Sequence, residues 1–179
     1  MKILTTILLS VVCFTFCLTG YKLYQVKIHP IKYTSEIKKY SEMYNLDKTL
    51  IYSLINVESG FNANAKSSKN AIGLMQIKLS TANYLNNLEN KEQITEQDLF
   101  IPEINIYYGC KYLKYLINKF TDITTSLCAY NAGETRVLSW LKSDYSPDGK
   151  TLNYIPFEET RNYVNKINSN QKFYKSVYN

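Results

Sequence analysis

Glu58 is the residue of this chain whose type and setting best suit chemistry. It closes an apolar run, Ile51 to Val57, just before Ser59-Gly60-Phe61. Ile51, Ile55 and Glu58 stand at i, i+4 and i+7, so one helix face carries the carboxyl beside core residues. A carboxyl there loses hydration, which disfavours its charged form and raises its pKa. That is what a general acid needs near neutral pH. Residue types alone leave a second reading open, an ordinary glutamate at the C-terminal end of a helix. The other reactive side chains offer less. The single histidine, His29, lies outside the body of the chain, and none of the four cysteines has a metal-ligand spacing, so no metal site or cofactor is expected. Cys110 and Cys128 are an even pair that would allow a disulfide in an exported protein. Both sit in apolar helical patterns, however, where cysteine behaves as a small hydrophobe, and free buried thiols are expected.

The elements that must hold Glu58 are helical. Thr34 or Ser35 can cap a helix carrying Ile37, Tyr40, Met43 and Tyr44. Asp47 can cap the next, which runs through Leu50, Ile51, Leu54 and Ile55 to Glu58. Ser59 to Asn70 reads as a loop, and Ser80 begins another helix. Pro102 fits the first turn of a long helix through Ile106, Gly109, Leu113 and Phe120. A helix through Leu127 and Tyr130 stops at Gly133. Two more follow, around Val137–Leu141 and from Pro156 onward. Only 144–155 hints at strand alternation. The expected fold is mostly α, a single globular domain over 33–179, with an N-terminal apolar helix outside it.

That N-terminal segment is a separate matter. Ile3 to Tyr21 are 19 uncharged residues behind Lys2, longer than a signal-peptide core and close to the length that spans a bilayer. No small-residue cleavage site follows, so residues 1–21 are expected to be an uncleaved signal-anchor, with a cleaved signal and a secreted product as the alternative, and 22–32 as a linker. Lys22 and Lys27 oppose the usual charge bias for an exported C-terminus. Charge divides along the same boundary. Of the formal +6, residues 1–32 contribute four lysines and no acid, leaving 17 basic and 15 acidic residues in the body. A body so nearly balanced lacks the basic face that nucleic acid would require. It suits the neighbourhood of an anionic cell wall or membrane surface.

Three blocks change the weight placed on Glu58. The first is Glu58-Ser59-Gly60-Phe61-Asn62, then Ser67, then Ala71-Ile72-Gly73-Leu74-Met75-Gln76-Ile77 and Thr81-Ala82. The second is Ala129-Tyr130-Asn131-Ala132-Gly133 with Arg136-Val137. The third is Ile155-Pro156-Phe157-Glu158-Glu159-Thr160-Arg161-Asn162-Tyr163-Val164. In this order and spacing they resemble the catalytic domains of soluble-lytic-transglycosylase type, related in fold to goose-type lysozyme. The segment from Pro102 to Leu113 matches the family only in part. The resemblance covers most of residues 50–165 and implies a lysozyme-like fold.

It also implies that Glu58 is the catalytic acid/base, and that Ser67, Met75, Gln76, Tyr130, Asn131 and Glu159 are substrate-binding positions along a glycan cleft. Met75 has a core residue as its plain alternative, Ser67 a loop-bracing one, and Glu159 an ion-pairing one. Lys78-Leu79 replace the family's usual Met-Pro, which puts an amine where an apolar cleft contact is expected and bears on substrate preference. Asn70 and Ile72 stand where Gly and Ser are common.

The activity so implied is cleavage of the β-1,4 bond between N-acetylmuramic acid (MurNAc) and N-acetylglucosamine (GlcNAc) in peptidoglycan. One glutamate protonates the glycosidic oxygen, then takes the proton of the muramoyl C6 hydroxyl as it closes on C1 to a 1,6-anhydro end. Two-carboxylate glycosidases instead hydrolyse. No Asp lies between Asp47 and Asp98 to serve as a second group, but Glu89, Glu92 or Glu96 could approach in space. A muramidase therefore stays open as an alternative, as does an inactive peptidoglycan-binding module of a cell-envelope protein complex. The expected partners are glycan strands and, through the N-terminal segment, the membrane, with an extracytoplasmic location.

Overall fold

The computed structural model describes residues 2–178, with the side chains of 2–11, 22 and 23 outside that description. The chain divides into two units, Met1–Ile31 and Lys32–Asn179. The first contains one helix, α1 (Lys2–Ile28), along which Phe14, Phe16 and Val26 are exposed. The span expected over Ile3–Tyr21 lies partly outside the described side chains. Among the described residues no helix is long and apolar enough to cross a membrane.

The second unit is helical apart from one short hairpin. Its elements in chain order are α2 (Thr34–Tyr44), α3 (Lys48–Ser59), β1 (Ala71–Ile72), β2 (Ile77–Lys78) and α4 (Leu79–Asn87). A 3-10 turn (Gln97–Phe100) then leads into α5 (Pro102–Phe120), α6 (Ile123–Ala132), α7 (Glu134–Trp140) and α8 (Glu158–Tyr178). The centre is α3. Thr49 through Ile55 are buried all round the helix, the signature of a helix enclosed by others. It packs along α8 and α2, while α5 packs along α2 and α6.

Local chemistry sets several boundaries. Asp47 caps α3 as expected, accepting from the Thr49 N–H at 2.8 Å. Asp122 does the same for α6, accepting from Thr125 N–H at 2.7 Å. Pro102 opens α5, and Gly133 closes α6 at φ 94°. Other expectations give way. Neither Thr34 nor Ser35 caps α2. The cap residue is Tyr33 in left-handed conformation without a side-chain bond, and the Ser35 hydroxyl turns to Glu36 instead. α4 begins at Leu79 rather than Ser80. No strand forms in 144–155, because Asp148 gathers that segment into a turn. Its carboxylate accepts from the Lys150 and Thr151 N–H groups, both at 2.8 Å, and from the Thr151 hydroxyl at 2.7 Å. The strands lie instead inside the Ala71–Lys78 block, paired antiparallel as Ala71 with Lys78 and Ile72 with Ile77.

Asn105 on α5 holds this hairpin to the core. It is fully buried. Its oxygen accepts from Met75 N–H at 2.7 Å, and its amide donates to the Ile72 and Leu99 carbonyls at 2.8 and 2.7 Å. Gly73, at φ 74°, lies so close that a Cβ would fall 2.3 Å from the Asn105 amide. The departures at Asn70 and Ile72 also find reasons. Asn70 adopts φ 57°, a conformation asparagine tolerates better than most residues. Ile72 is fully buried beneath the hairpin.

Candidate active site

Glu58 occupies the last turn of α3, and Gly60 ends the helix in left-handed conformation at φ 58°. The carboxyl is partly buried and stands at the edge of an open hollow of about 380 Å³, which Asn131, Glu159 and Tyr163 also line. The hydroxyl of Tyr163 on α8 donates to Glu58 Oε1 at 2.6 Å. Two opposed effects set the proton affinity of Glu58. Burial raises its pKa, the Tyr163 hydrogen bond lowers it, and burial wins, leaving it at about 7 against an ordinary 4.5. The carboxyl can therefore hold or release a proton near neutrality. Because Oε1 is engaged by Tyr163, Oε2 is the oxygen free to carry it.

Two tyrosines, Tyr163 buried and Tyr130 partly buried, flank this acid. The Tyr130 hydroxyl donates to the Met75 carbonyl at 2.8 Å. The hydroxyls of both Tyr130 and Tyr163 have pKa values pushed well up, first by burial and then by the nearby Glu58 charge. Both stay neutral donors at any physiological pH.

A second hollow of about 350 Å³ is lined by Gln76, Tyr112, Tyr130 and Asn131 among others. Asn131 lines both hollows, so they meet at its side chain. Its Oδ1 accepts from the Thr160 hydroxyl at 2.8 Å, which ties α6 to α8 beneath the cleft. The Tyr112 and Tyr130 rings are 5.2 Å apart. Gln76 sits at φ 50°, which costs a non-glycine residue about 1–2 kcal/mol. Its amide donates to the Gly73 carbonyl at 2.9 Å, bracing the turn that presents its own side chain to the cleft.

Of the sequence-derived positions, Glu58, Gln76, Tyr130, Asn131 and Glu159 come together along the two hollows. Ser67 and Met75 do not. Ser67 Oγ accepts from Ala71 N–H at 3.1 Å and from Lys69 N–H at 3.3 Å, so it braces its own loop. The Met75 side chain is fully buried. A Cβ added to Gly109 would fall 2.2 Å from its Sδ, so it is a core residue of the α5 face. Two important residues carried no role from sequence. Tyr163 lies in the third block and Asn105 in the partly matching Pro102–Leu113 segment, but only the fold brings the first to Glu58 and the second under the hairpin. Cys110 and Cys128 are free and buried. Among the described residues no cluster of His, Cys, Asp and Glu could hold a metal ion.

Comparison with known proteins places this geometry. The transglycosylase SLT domain profile matches residues 35–153. The membrane-bound lytic murein transglycosylase C of Photorhabdus laumondii is 33% identical over 166 residues, covering 80% of this chain and 46% of that protein. The soluble lytic murein transglycosylase of Escherichia coli K12 is 31% identical over 150 residues, covering 82% of this chain and 23% of that protein. The chain thus spans about half or less of the length of these curated relatives. Among solved structures, the 70 kDa soluble lytic transglycosylase of Escherichia coli superposes with a TM-score of 0.73 at 30% identity, over 84% of this chain and 25% of that one. An inactive mutant of the lytic transglycosylase Slt from Pseudomonas aeruginosa gives 0.74 at 28% identity, with the same coverage of both chains.

Proposed function

This chain belongs to the transglycosylase SLT domain family, and from that premise we propose that it is a peptidoglycan lytic transglycosylase in which Glu58 is the sole acid/base. The observation that carries this reading is the half-buried Glu58, with a pKa of about 7, held by Tyr163 at the edge of the cleft. The neutral acid gives its Oε2 proton to the oxygen linking MurNAc to GlcNAc, and that bond breaks. The carboxylate so formed accepts the proton of the muramoyl C6 hydroxyl as its oxygen bonds to C1. The product is a 1,6-anhydro end, no water is consumed, and Glu58 returns to its starting state. Tyr163 stabilises the transient carboxylate through Oε1, while Tyr130, Asn131 and Gln76 position the sugars. Residues 33–179 form the catalytic domain, acting outside the cytoplasm on glycan strands. The apolar 1–21 segment serves for export or tethering.

Glu159 supports a second reading. It lines the same hollow as Glu58 and is the carboxylate that a hydrolytic route would recruit. Digestion of purified sacculi followed by mass spectrometry separates the two, because an anhydro end is lighter than a reducing end by one water. The transglycosylase reading expects anhydro ends and loss of turnover in Glu58→Gln, by roughly 10²–10⁴-fold or more. Reducing ends would establish a muramidase. Wild-type turnover in Glu58→Gln would remove Glu58 from the chemistry.

A further inference from the structure

The two hollows of the cleft differ in charge. The Glu58 hollow holds two carboxyls, Glu58 and Glu159, with Lys166. The other is lined by Lys69, Lys78 and Arg136 and by no acid at all. All three cations are exposed, and among the described residues none of them forms an ion pair. The lysines at 39, 66, 91, 111, 119 and 175 are paired, while among the described residues exposed lysines such as Lys38 and Lys142 are not. What sets these three cations apart is therefore their gathering around one hollow that no acid lines. The nearest acid in sequence to Arg136 is Glu134, which is taken by Lys119. Arg136 lies over the Phe157 ring at 4.9 Å, which fixes its plane without satisfying its charge. Lys78 is held by its backbone in the hairpin, opposite Ala71, so its amine projects from a rigid strand. Three unpaired cations around one hollow, joined at Asn131 to the hollow of the acid, form a site built for an anion on the ligand.

We propose that Lys78, with Lys69 and Arg136, forms a carboxylate subsite that seats an acidic substituent of the glycan strand. This rests on the reading of the cleft as a glycan-cleaving site and names the feature of the strand that it prefers. Two sources supply such a carboxylate: the free carboxyls of the peptide stem or, where a muramoyl residue has lost its stem, the lactyl carboxyl to which the stem was amide-linked. Charge-assisted bonds to either are about twice as strong as neutral ones. Lys78 is the specificity-determining member, because it is the charged side chain that its turn, between Gly73 and Lys78, contributes to the hollow.

The test measures KM and kcat on three strand preparations: with free stem carboxylates, with all carboxylates converted to neutral amides, and with stems removed to leave the lactyl carboxylate. Wild type should show a KM about five- to tenfold higher on the amidated strands, a contrast that narrows as salt rises. Lys78→Met should shrink that contrast to less than about twofold by raising KM on the free-carboxylate strands, with kcat little changed. A low KM on stem-free strands shows that the freed lactyl carboxylate also fills the subsite, and a high one restricts the subsite to carboxylates of the stem. The same three preparations titrated against Glu58→Gln give the contrast as binding alone. If wild type and Lys78→Met discriminate equally in binding and in KM, the subsite is refuted while the glycan-cleaving reading stands. If wild type cleaves no strand but Glu58→Gln binding keeps the contrast, the enzymatic reading fails and the subsite stands.

Discussion

Replacing Glu58 by glutamine should stabilise the protein, and by an amount that depends on pH. The folded carboxyl has a pKa of about 7 against 4.5 for an ordinary glutamate. Below the lower value Glu58 is protonated in both the folded and unfolded chains, so it confers no pH-dependent difference. As pH rises, the unfolded chain gives up its proton first and gains a hydrated charge that the folded seat resists. Stability is therefore lost progressively until pH passes the folded pKa. A gap of about 2.5 pH units corresponds to about 3 kcal/mol, and partial contact with the open cleft argues for about 2–3. Glutamine has no charge to bury, and its Oε1 can still accept from Tyr163. Denaturant unfolding of wild type and Glu58→Gln at several pH values from about 4 to 8 gives the difference directly. It should be small at the acid end, grow between about pH 4.5 and 7, and then level off. A difference constant across that range would mean that the carboxyl is not strained in its seat, and the acid/base argument would lose its physical footing.

Three other perturbations test the supports of the site. Tyr163→Phe removes a hydrogen bond that favours the charged carboxyl, a bond worth about 1.5–3 kcal/mol to a charged group. Turnover should fall, and the alkaline limb of the pH–activity profile should move upward by roughly one unit; an unmoved limb would show that Tyr163 does not act through Glu58. Asn105→Leu leaves the Met75 N–H and the Ile72 and Leu99 carbonyls unpaired in the core, so stability should drop by about 3–5 kcal/mol, and a loss below about 1 would contradict the bracing role. Burial pushes the Cys128 thiol up to about 12 and the Cys110 thiol higher still. Alkylation of this pair in the native protein should therefore be slower than that of exposed thiols by orders of magnitude and should follow unfolding, as counted by mass spectrometry after proteolysis.

Features whose causes are local were legible in the sequence. Asp47 before a helical stripe, Pro102 at a first turn and Gly133 after a last one act within a few residues. The hairpin was not legible, because two-residue strands show no alternation and their register depends on Asn105, 30 residues beyond Met75. The hint of strand in 144–155 failed for a related reason: a single Asp148 outweighs a weak pattern by taking several nearby donors. At the site, the family resemblance of the three blocks implied that Glu58, Gln76, Tyr130, Asn131 and Glu159 share one cleft. It could not separate side chains that face the cleft from those that hold it up, so Met75 and Ser67 were grouped with the first kind. Tyr163, 105 residues away, needed the docking of α8 against α3 to reach Glu58.

That docking also explains why the acid sits where it does. An anion is favoured at a helix N-terminus and disfavoured at a C-terminus, where the last carbonyls point outward. Glu58 is in the last turn of α3, so the helix itself resists its ionisation and acts in the same direction as burial. Gly60 then turns the chain away in left-handed conformation, with nothing within 4 Å of where a Cβ would lie. The backbone therefore leaves the helix without covering the carboxyl. The remaining requirement is one donor strong enough to keep the acid from becoming too weak to use, and Tyr163 supplies it at 2.6 Å. Apolar seat and helix end together are opposed by a single hydroxyl closely enough to leave the proton exchangeable near neutrality. Removing Tyr163 should move the balance toward the acid, and replacing the carboxyl should release the strain.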